Sequence, residues 1–151
     1  MSIKIVATNR KARQDYFLSD FNEAGIALKG SEIKSIRSGH VSLTESYILI
    51  NEHEAWLVDA YIAPYEHARP FTHDPRRKRK LLLHRSEIDR LWNHVRQKGV
   101  TIIPTKLYLK EGLAKIEIAI AKGKRKYDKR QIIAKRDMER EMERHYKRKN
   151  G

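Results

Sequence analysis

Residues 101–121 read Thr-Ile-Ile-Pro-Thr-Lys-Leu-Tyr-Leu-Lys-Glu-Gly-Leu-Ala-Lys-Ile-Glu-Ile-Ala-Ile-Ala, and their period decides the fold. Ile116, Ile118 and Ile120 alternate with Lys115, Glu117 and Ala119, the pattern of a strand with one face buried. Upstream, Leu107 and Leu109 alternate with Lys106, Tyr108 and Lys110. Glu111-Gly112 between the two runs supplies a tight turn, so the stretch reads as a β-hairpin.

Working outward, Tyr47-Ile48-Leu49-Ile50 and Ala55-Trp56-Leu57-Val58 form a second hairpin across Asn51-Glu52-His53-Glu54. A further strand pair is expected around Tyr16-Phe17-Leu18 and Ile26-Ala27-Leu28, with the turn between Asn22 and Gly25. Two helices interrupt the strands. In residues 86–98, Ser86 and Asp89 approximate a capping box. Ile88, Leu91, Trp92 and Val95 then make one apolar stripe, and Gly99 suits the position after the C-cap. In residues 31–38, Ser31 is the expected N-cap, Ile33 and Ile36 face inward, and Lys34 and Arg37 stay in water. Short strands without βαβ alternation predict an antiparallel sheet that closes or nearly closes. The expected class is mainly β with flanking α: an OB-like antiparallel β-barrel with two to three helices.

The chain has 151 residues, 33 Lys+Arg against 19 Asp+Glu, a net charge of +14 and no cysteine. Disulfides, thiolate metal sites and a cysteine nucleophile are thereby excluded. No apolar run is long enough for a membrane span or a signal-peptide core, so a cytoplasmic protein with no membrane partner is expected. The charge divides unevenly. Residues 122–151 carry 13 Lys+Arg and 5 Asp+Glu, a net of +8, while residues 1–121 carry a net of +6. The composition changes at Ala121-Lys122-Gly123-Lys124, which predicts an OB-like barrel over 1–121 and a basic tail over 122–151. In that tail Arg136, Arg140, Arg144 and Arg148 recur every four residues, one basic stripe if the segment is helical. Its apolar residues are too few to dock it on the body. It is therefore expected to be disordered when free and helical against phosphates. The run Arg76-Arg77-Lys78-Arg79-Lys80 is read as a loop whose like charges repel unless a polyanion lies against it.

Nothing in the sequence assembles a catalyst. The seven histidines match no strong metal template. Glu87 and Asp89, two apart on a helix, point to different sides. No enzyme, cofactor or metal is expected, and the charge points to nucleic acid.

Several stretches taken in order resemble the small protein B family, the bacterial tmRNA-binding (SsrA-binding) proteins. They are Asn9-Arg10-Lys11-Ala12-Arg13 with Tyr16-Phe17, Glu23-Ala24-Gly25-Ile26-Ala27-Leu28, and Gly30 to Gly39 with Ser46-Tyr47. Asp74-Pro75 leading to Arg79-Lys80-Leu81-Leu82-Leu83, and Ala121-Lys122-Gly123-Lys124 closing on Asp128-Lys129-Arg130, complete the set. The resemblance implies an OB-like barrel that binds the tRNA-like domain of tmRNA. With elongation factor Tu it would deliver tmRNA to stalled ribosomes for trans-translation. Contacts to tmRNA would then fall on Glu23, Leu82 and Lys115, with support from Asn9, Lys11, Lys34, Lys122 and Lys124. Periodicity makes Lys115 an outward residue, whereas the run Leu81-Leu82-Leu83 after the basic block reads as entry into the core, Leu82 with it. Tyr127, Asp128, Lys129 and Arg130 would meet the decoding centre, and Arg136, Arg140 and Arg144 the empty mRNA channel lined by 16S rRNA. A monomer is expected. The rival reading is a ribosomal protein or ribosome-assembly factor with a barrel and a basic tail; a duplex-DNA binder fits an OB surface less well.

Overall fold

The computed structural model describes residues 2–68, 70 and 72–124. The chain runs β1 (Ile3–Thr8), α1 (Arg10–Asp15), β2 (Tyr16–Ile26), α2 (Gly30–Arg37), β3 (Val41–Ser42), β4 (Tyr47–Asn51) and β5 (Glu54–Val58). It continues through β6 (Tyr61–Ile62), a 3-10 turn (Glu66–Ala68), β7 (Arg79–Leu82), α3 (Arg85–Val95), β8 (Val100–Lys110) and β9 (Leu113–Gly123). Seven strands form one antiparallel sheet in the order β1-β8-β9-β2-β7-β5-β4, and β3 pairs with β6. The sheet curls until β4 packs back on β8, which gives the OB-like barrel. Ile36, Leu57, Leu81, Leu91, Leu107, Ile116 and Ile118 fill its interior.

The decisive hairpin forms with the expected turn. Lys110 pairs with Leu113, and Glu111 and Gly112 lie between them at φ 52° and 83°, the left-handed turn that matches strand twist. The β4–β5 turn is tighter than read. Asn51 and Glu54 pair as strand ends, and only Glu52 and His53 turn, both at positive φ.

The strand pair expected at residues 16–28 is instead one strand. β2 pairs with β9 from Tyr16 to Gly25, and a bulge at Asp20-Phe21 lies between the Ser19–Ile120 and Asn22–Ile118 pairs. Asp20 sits at φ 51°, and Arg90 of α3 donates to both its carboxylate oxygens at 2.6 and 2.7 Å. A bulge inserts one residue and resets the alternation, so turn-forming residues lie inside a continuous strand.

Both helices start earlier than predicted. In α3 the Glu87 carboxylate accepts from the His84 backbone N–H at 2.9 Å, so the cap lies upstream of Ser86. Ile88 and Leu91 are buried, but Trp92, at the edge of the stripe, is 44% exposed. The helix ends at Val95, and Gly99 (φ +81°) serves the turn into β8 rather than the position after the cap. In α2 Glu32 accepts from the Lys29 N–H at 2.8 Å. Ser31 is not the cap; its hydroxyl lies 2.8 Å from His73 Nδ1. Ile36 is buried and Ile33 half-buried. On β9, Ala119 and Ala121 are buried although they alternate with the core residues. The far face of the sheet is covered here, with Ala12 of α1 against Ile103 and Ala121. The strand runs two residues past the compositional break, and the Lys124 N–H donates to Asp15 O at 2.9 Å.

Candidate nucleic-acid interface

Register places three of the expected contact residues together. Gly25 pairs with Leu82 on β7 and with Lys115 on β9, and Lys115 pairs with Tyr108 on β8. The row Leu82, Gly25, Lys115, Tyr108 therefore crosses four strands on the outer face. Glu23, two residues from Gly25, stands on the same face because side chains alternate. A trough of about 650 Å³ lies here, lined by Glu23, Gly25, Leu82, Lys115, Lys80 and His84 among others. On β7, Arg79 and Leu81 point inward while Lys80 and Leu82 point outward. Leu82 is thus 55% exposed, correcting the core assignment that its apolar neighbours suggest. At Gly25 a Cβ would meet Leu82 Cδ1 at 3.3 Å. The missing side chain leaves a notch where another backbone can approach the strand.

The trough has a defined electrostatic character. The Tyr108 hydroxyl donates to Glu23 Oε2, and Lys110 Nζ lies 3.5 Å from the same oxygen. The Tyr108 hydrogen bond first, with help from Lys110 and Lys115, lowers the Glu23 pKa below its ordinary value, against the opposing pull of burial. Burial and Glu23 raise the Tyr108 pKa, so the phenol stays a donor. No hydrogen bond among the described residues uses Glu23 Oε1. The site thus offers a fixed carboxylate acceptor, an ammonium, an apolar floor and a backbone notch. Such a combination suits the hydroxyl and amino donors, phosphate and faces of a nucleotide.

The other expected residues lie elsewhere. Lys122 on β9 is seven residues from Lys115, roughly 23 Å along an extended strand. It is exposed at the end of the sheet where Lys124 and α1 meet. Lys124 donates to Arg13 O at 3.2 Å and stands over the Phe17 ring. Lys11 pairs with Glu45 at 2.7 Å on the surface, beside a cleft of about 630 Å³ lined by Asp15, Tyr16, Tyr47 and Gly123 among others. Asn9 is 3% exposed; its amide donates to Leu43 O and Pro104 O, and its carbonyl caps α1 at the Ala12 N–H. Its side-chain amide is spent on these bonds, so Asn9 positions α1 at the edge of the same cleft. Lys34 is exposed on α2, apart from both groups. Tyr127, Asp128, Lys129, Arg130, Arg136, Arg140 and Arg144 lie outside the described residues.

The basic run at residues 76–80 is not the set of unpaired charges that its sequence suggests. Arg79 is fully buried, and its Nε donates to Glu32 Oε2 at 2.7 Å. Arg77 donates from Nε and Nη2 to the two oxygens of the same carboxylate at 2.9 and 2.7 Å. Lys80 pairs with Glu54 at 3.1 Å. Arg76 and Lys78 stand over the rings of Tyr61 and Trp56. Glu32 is distant in sequence, so composition could not show that it pairs with Arg77 and Arg79.

Tyr108 and Glu32 are the residues that sequence reasoning passed over. Tyr108 was within reach, since counting back from the Glu111-Gly112 turn pairs it with Lys115. Glu32 was not, because α2 and β7 meet only in the folded chain. Among the described residues no group of three or more His, Cys, Asp and Glu could hold a metal ion, and no helix is long and apolar enough to cross a membrane.

An outer-face trough on a curled antiparallel sheet, with Lys80, Arg85 and Lys115 in its lining, defines a small β-barrel of the oligonucleotide-binding kind. Comparison with known proteins gives the family: the chain belongs to the SmpB proteins, whose family model matches residues 6–148. The SsrA-binding protein of Desulfitobacterium hafniense (strain Y51) is 57% identical over 145 residues, covering 96% of this chain and 93% of that one. The SsrA-binding protein of Persephonella marina is 56% identical over 147 residues, covering 97% of each chain. A chain from a solved structure described as "tmRNA-SmpB: a journey to the center of the bacterial ribosome" superposes with a TM-score of 0.67. It is 49% identical, and the match covers 78% of this chain and 82% of that one.

Proposed function

We propose that this chain binds the tRNA-like domain of tmRNA and carries it to stalled ribosomes for trans-translation. The observation that carries this reading is the nearly full-length match to SsrA-binding proteins. It runs through both the trough strands and the basic C-terminal segment. The trough holds the RNA: Leu82 and the Gly25 notch receive a nucleoside, Lys115 meets phosphate, and Glu23 accepts from a base or ribose donor. Lys11, Lys34, Lys122 and Lys124 add charge, and Asn9 holds α1 in place. Residues 122–151 form the ribosome-directed region: Tyr127, Asp128, Lys129 and Arg130 at the decoding centre, Arg136, Arg140 and Arg144 along the mRNA channel. The protein acts as a cytoplasmic monomer, with elongation factor Tu as a further partner through tmRNA. Its part is binding and placement, with no chemical step of its own.

Titration of the tRNA-like domain with wild type and Lys115→Glu tests the barrel's part. The variant should bind about tenfold more weakly, with a log Kd against log salt slope shallower by about 1. Its melting temperature should be unchanged. Unchanged affinity would remove Lys115 from the interface, and a collapsed melting temperature would make it structural.

A further inference from the structure

We infer that Tyr108 is a positioning residue of the RNA site: its hydroxyl fixes one oxygen of the Glu23 carboxylate and thereby presents the other to a hydroxyl or amino donor of the bound nucleoside. The inference deepens the reading of the trough as an RNA-binding site and rests on it.

Four observations carry it. Tyr108 is only 7% exposed, so its ring is held by packing and its own surface is not available as a stacking platform. Its hydroxyl, the one polar atom at its tip, is spent on Glu23 Oε2. That oxygen is also the one that Lys110 approaches at 3.5 Å, so both partners gather on Oε2, and Oε1 has no hydrogen bond among the described residues. Glu23, by contrast, is 39% exposed at its side chain. Without a partner a half-exposed glutamate would sample several rotamers, and holding one for a ligand would have an entropic cost at each binding event. A hydrogen bond from a buried, rigid phenol removes that cost in advance.

Facing charges fit the assignment. Lys115, Tyr108's partner in register, lies on the same side as Glu23 and favours its ionised form. Glu117 pairs directly with Glu23 across β2 and β9, a like charge that would push the carboxylate away. Its Oε1 instead accepts from Thr105 Oγ1 at 2.6 Å, which directs it toward β8. On the far wall Lys80 is occupied by Glu54. The carboxylate therefore stands two residues along β2 from the Gly25–Lys115 pair, near an ammonium suited to phosphate, an arrangement suited to reading a donor on one nucleoside.

The test combines a double-mutant cycle with a spectroscopic readout on the full chain. Binding of the tRNA-like domain of tmRNA is measured for wild type, Tyr108→Phe, Glu23→Gln and the double variant. The Glu23 carboxyl carbon is titrated by NMR in wild type and Tyr108→Phe without RNA. Tyr108→Phe keeps the ring and removes only the donor, so its melting temperature should stay near wild type. Its affinity should fall about fivefold, the value of one ordinary hydrogen bond. The double variant should bind no more weakly than Glu23→Gln, because the phenol acts only through the carboxylate. The Glu23 midpoint should rise toward 4.5, the ordinary glutamate value. Wild-type affinity in Tyr108→Phe, or losses that simply add in the double variant, would overturn the inference while leaving the trough as the RNA site. A Glu23 midpoint that does not move would do the same. Absence of wild-type binding would instead overturn the reading on which the inference stands.

Discussion

Arg79 and Leu82 share one four-residue strand, with the arginine fully buried and the leucine more than half exposed. Each choice is unfavourable alone. An isolated buried guanidinium is expensive, and an exposed leucine forgoes roughly 1.5–3 kcal/mol of burial. Glu32 accounts for Arg79; the RNA proposed to lie in the trough would account for Leu82. Strand alternation, not side-chain character, decides the facing, so reading Leu81-Leu82-Leu83 as an entry into the core succeeds for Leu81 and fails for Leu82. Gly25 offers a direct probe at this scale. Gly25→Val places branched carbon against Leu82 and fills the notch. The fold should tolerate it, since glycine is a poor strand residue and valine a good one. Affinity for the tRNA-like domain should nevertheless fall about tenfold, or ~1.4 kcal/mol. Equal affinity in a titration would show that nothing approaches the β2 backbone there.

At the scale of elements, the buried Arg77–Glu32–Arg79 cluster ties α2 to the segment leading into β7. Burial pushes the Glu32 pKa up, but hydrogen bonds from Arg77, the Lys29 N–H and Arg79 outweigh it and hold the carboxyl below 4.5. A depressed folded value makes its contribution to stability full above the ordinary glutamate value. The contribution is lost as pH falls through the folded value. Glu32→Gln leaves Arg79 charged and buried without its counter-ion. It should lower unfolding free energy at pH 7 by about 3 kcal/mol or more, and its stability should fall less steeply in acid than that of wild type. Denaturant melts at pH 7 and at pH 4 check both; a variant as stable as wild type would show the cluster to be dispensable. Elements with local signals were legible in the sequence. The β8–β9 hairpin followed from period and turn, and α2 and α3 from their apolar spacing. The bulge at Asp20-Phe21 was not, because it depends on pairing with β9 and on Arg90 from α3. The Glu32 cluster was hidden for the same reason: its partners meet only across the fold.

For the molecule as a whole, a net +14 says only that a polyanion is near. The fold sorts the charge in the described residues. The +6 of residues 1–121 includes arginines that neutralise a buried acid and lysines paired on the surface. The positive character of the barrel therefore rests on outward residues such as Lys115 more than on the dense run at 76–80. The +8 of residues 122–151 begins in the last two residues of β9, and the family match includes it to residue 148. Barrel and basic segment are thus suited to separate RNA surfaces, one recognised by shape and donors and one by charge. Capture of the full chain from a bacterial lysate, followed by sequencing of the bound RNA, tests the barrel's part most directly. The account predicts that tmRNA dominates the recovered RNA and is depleted with Lys115→Glu; ribosomal RNA fragments recovered without tmRNA would contradict it.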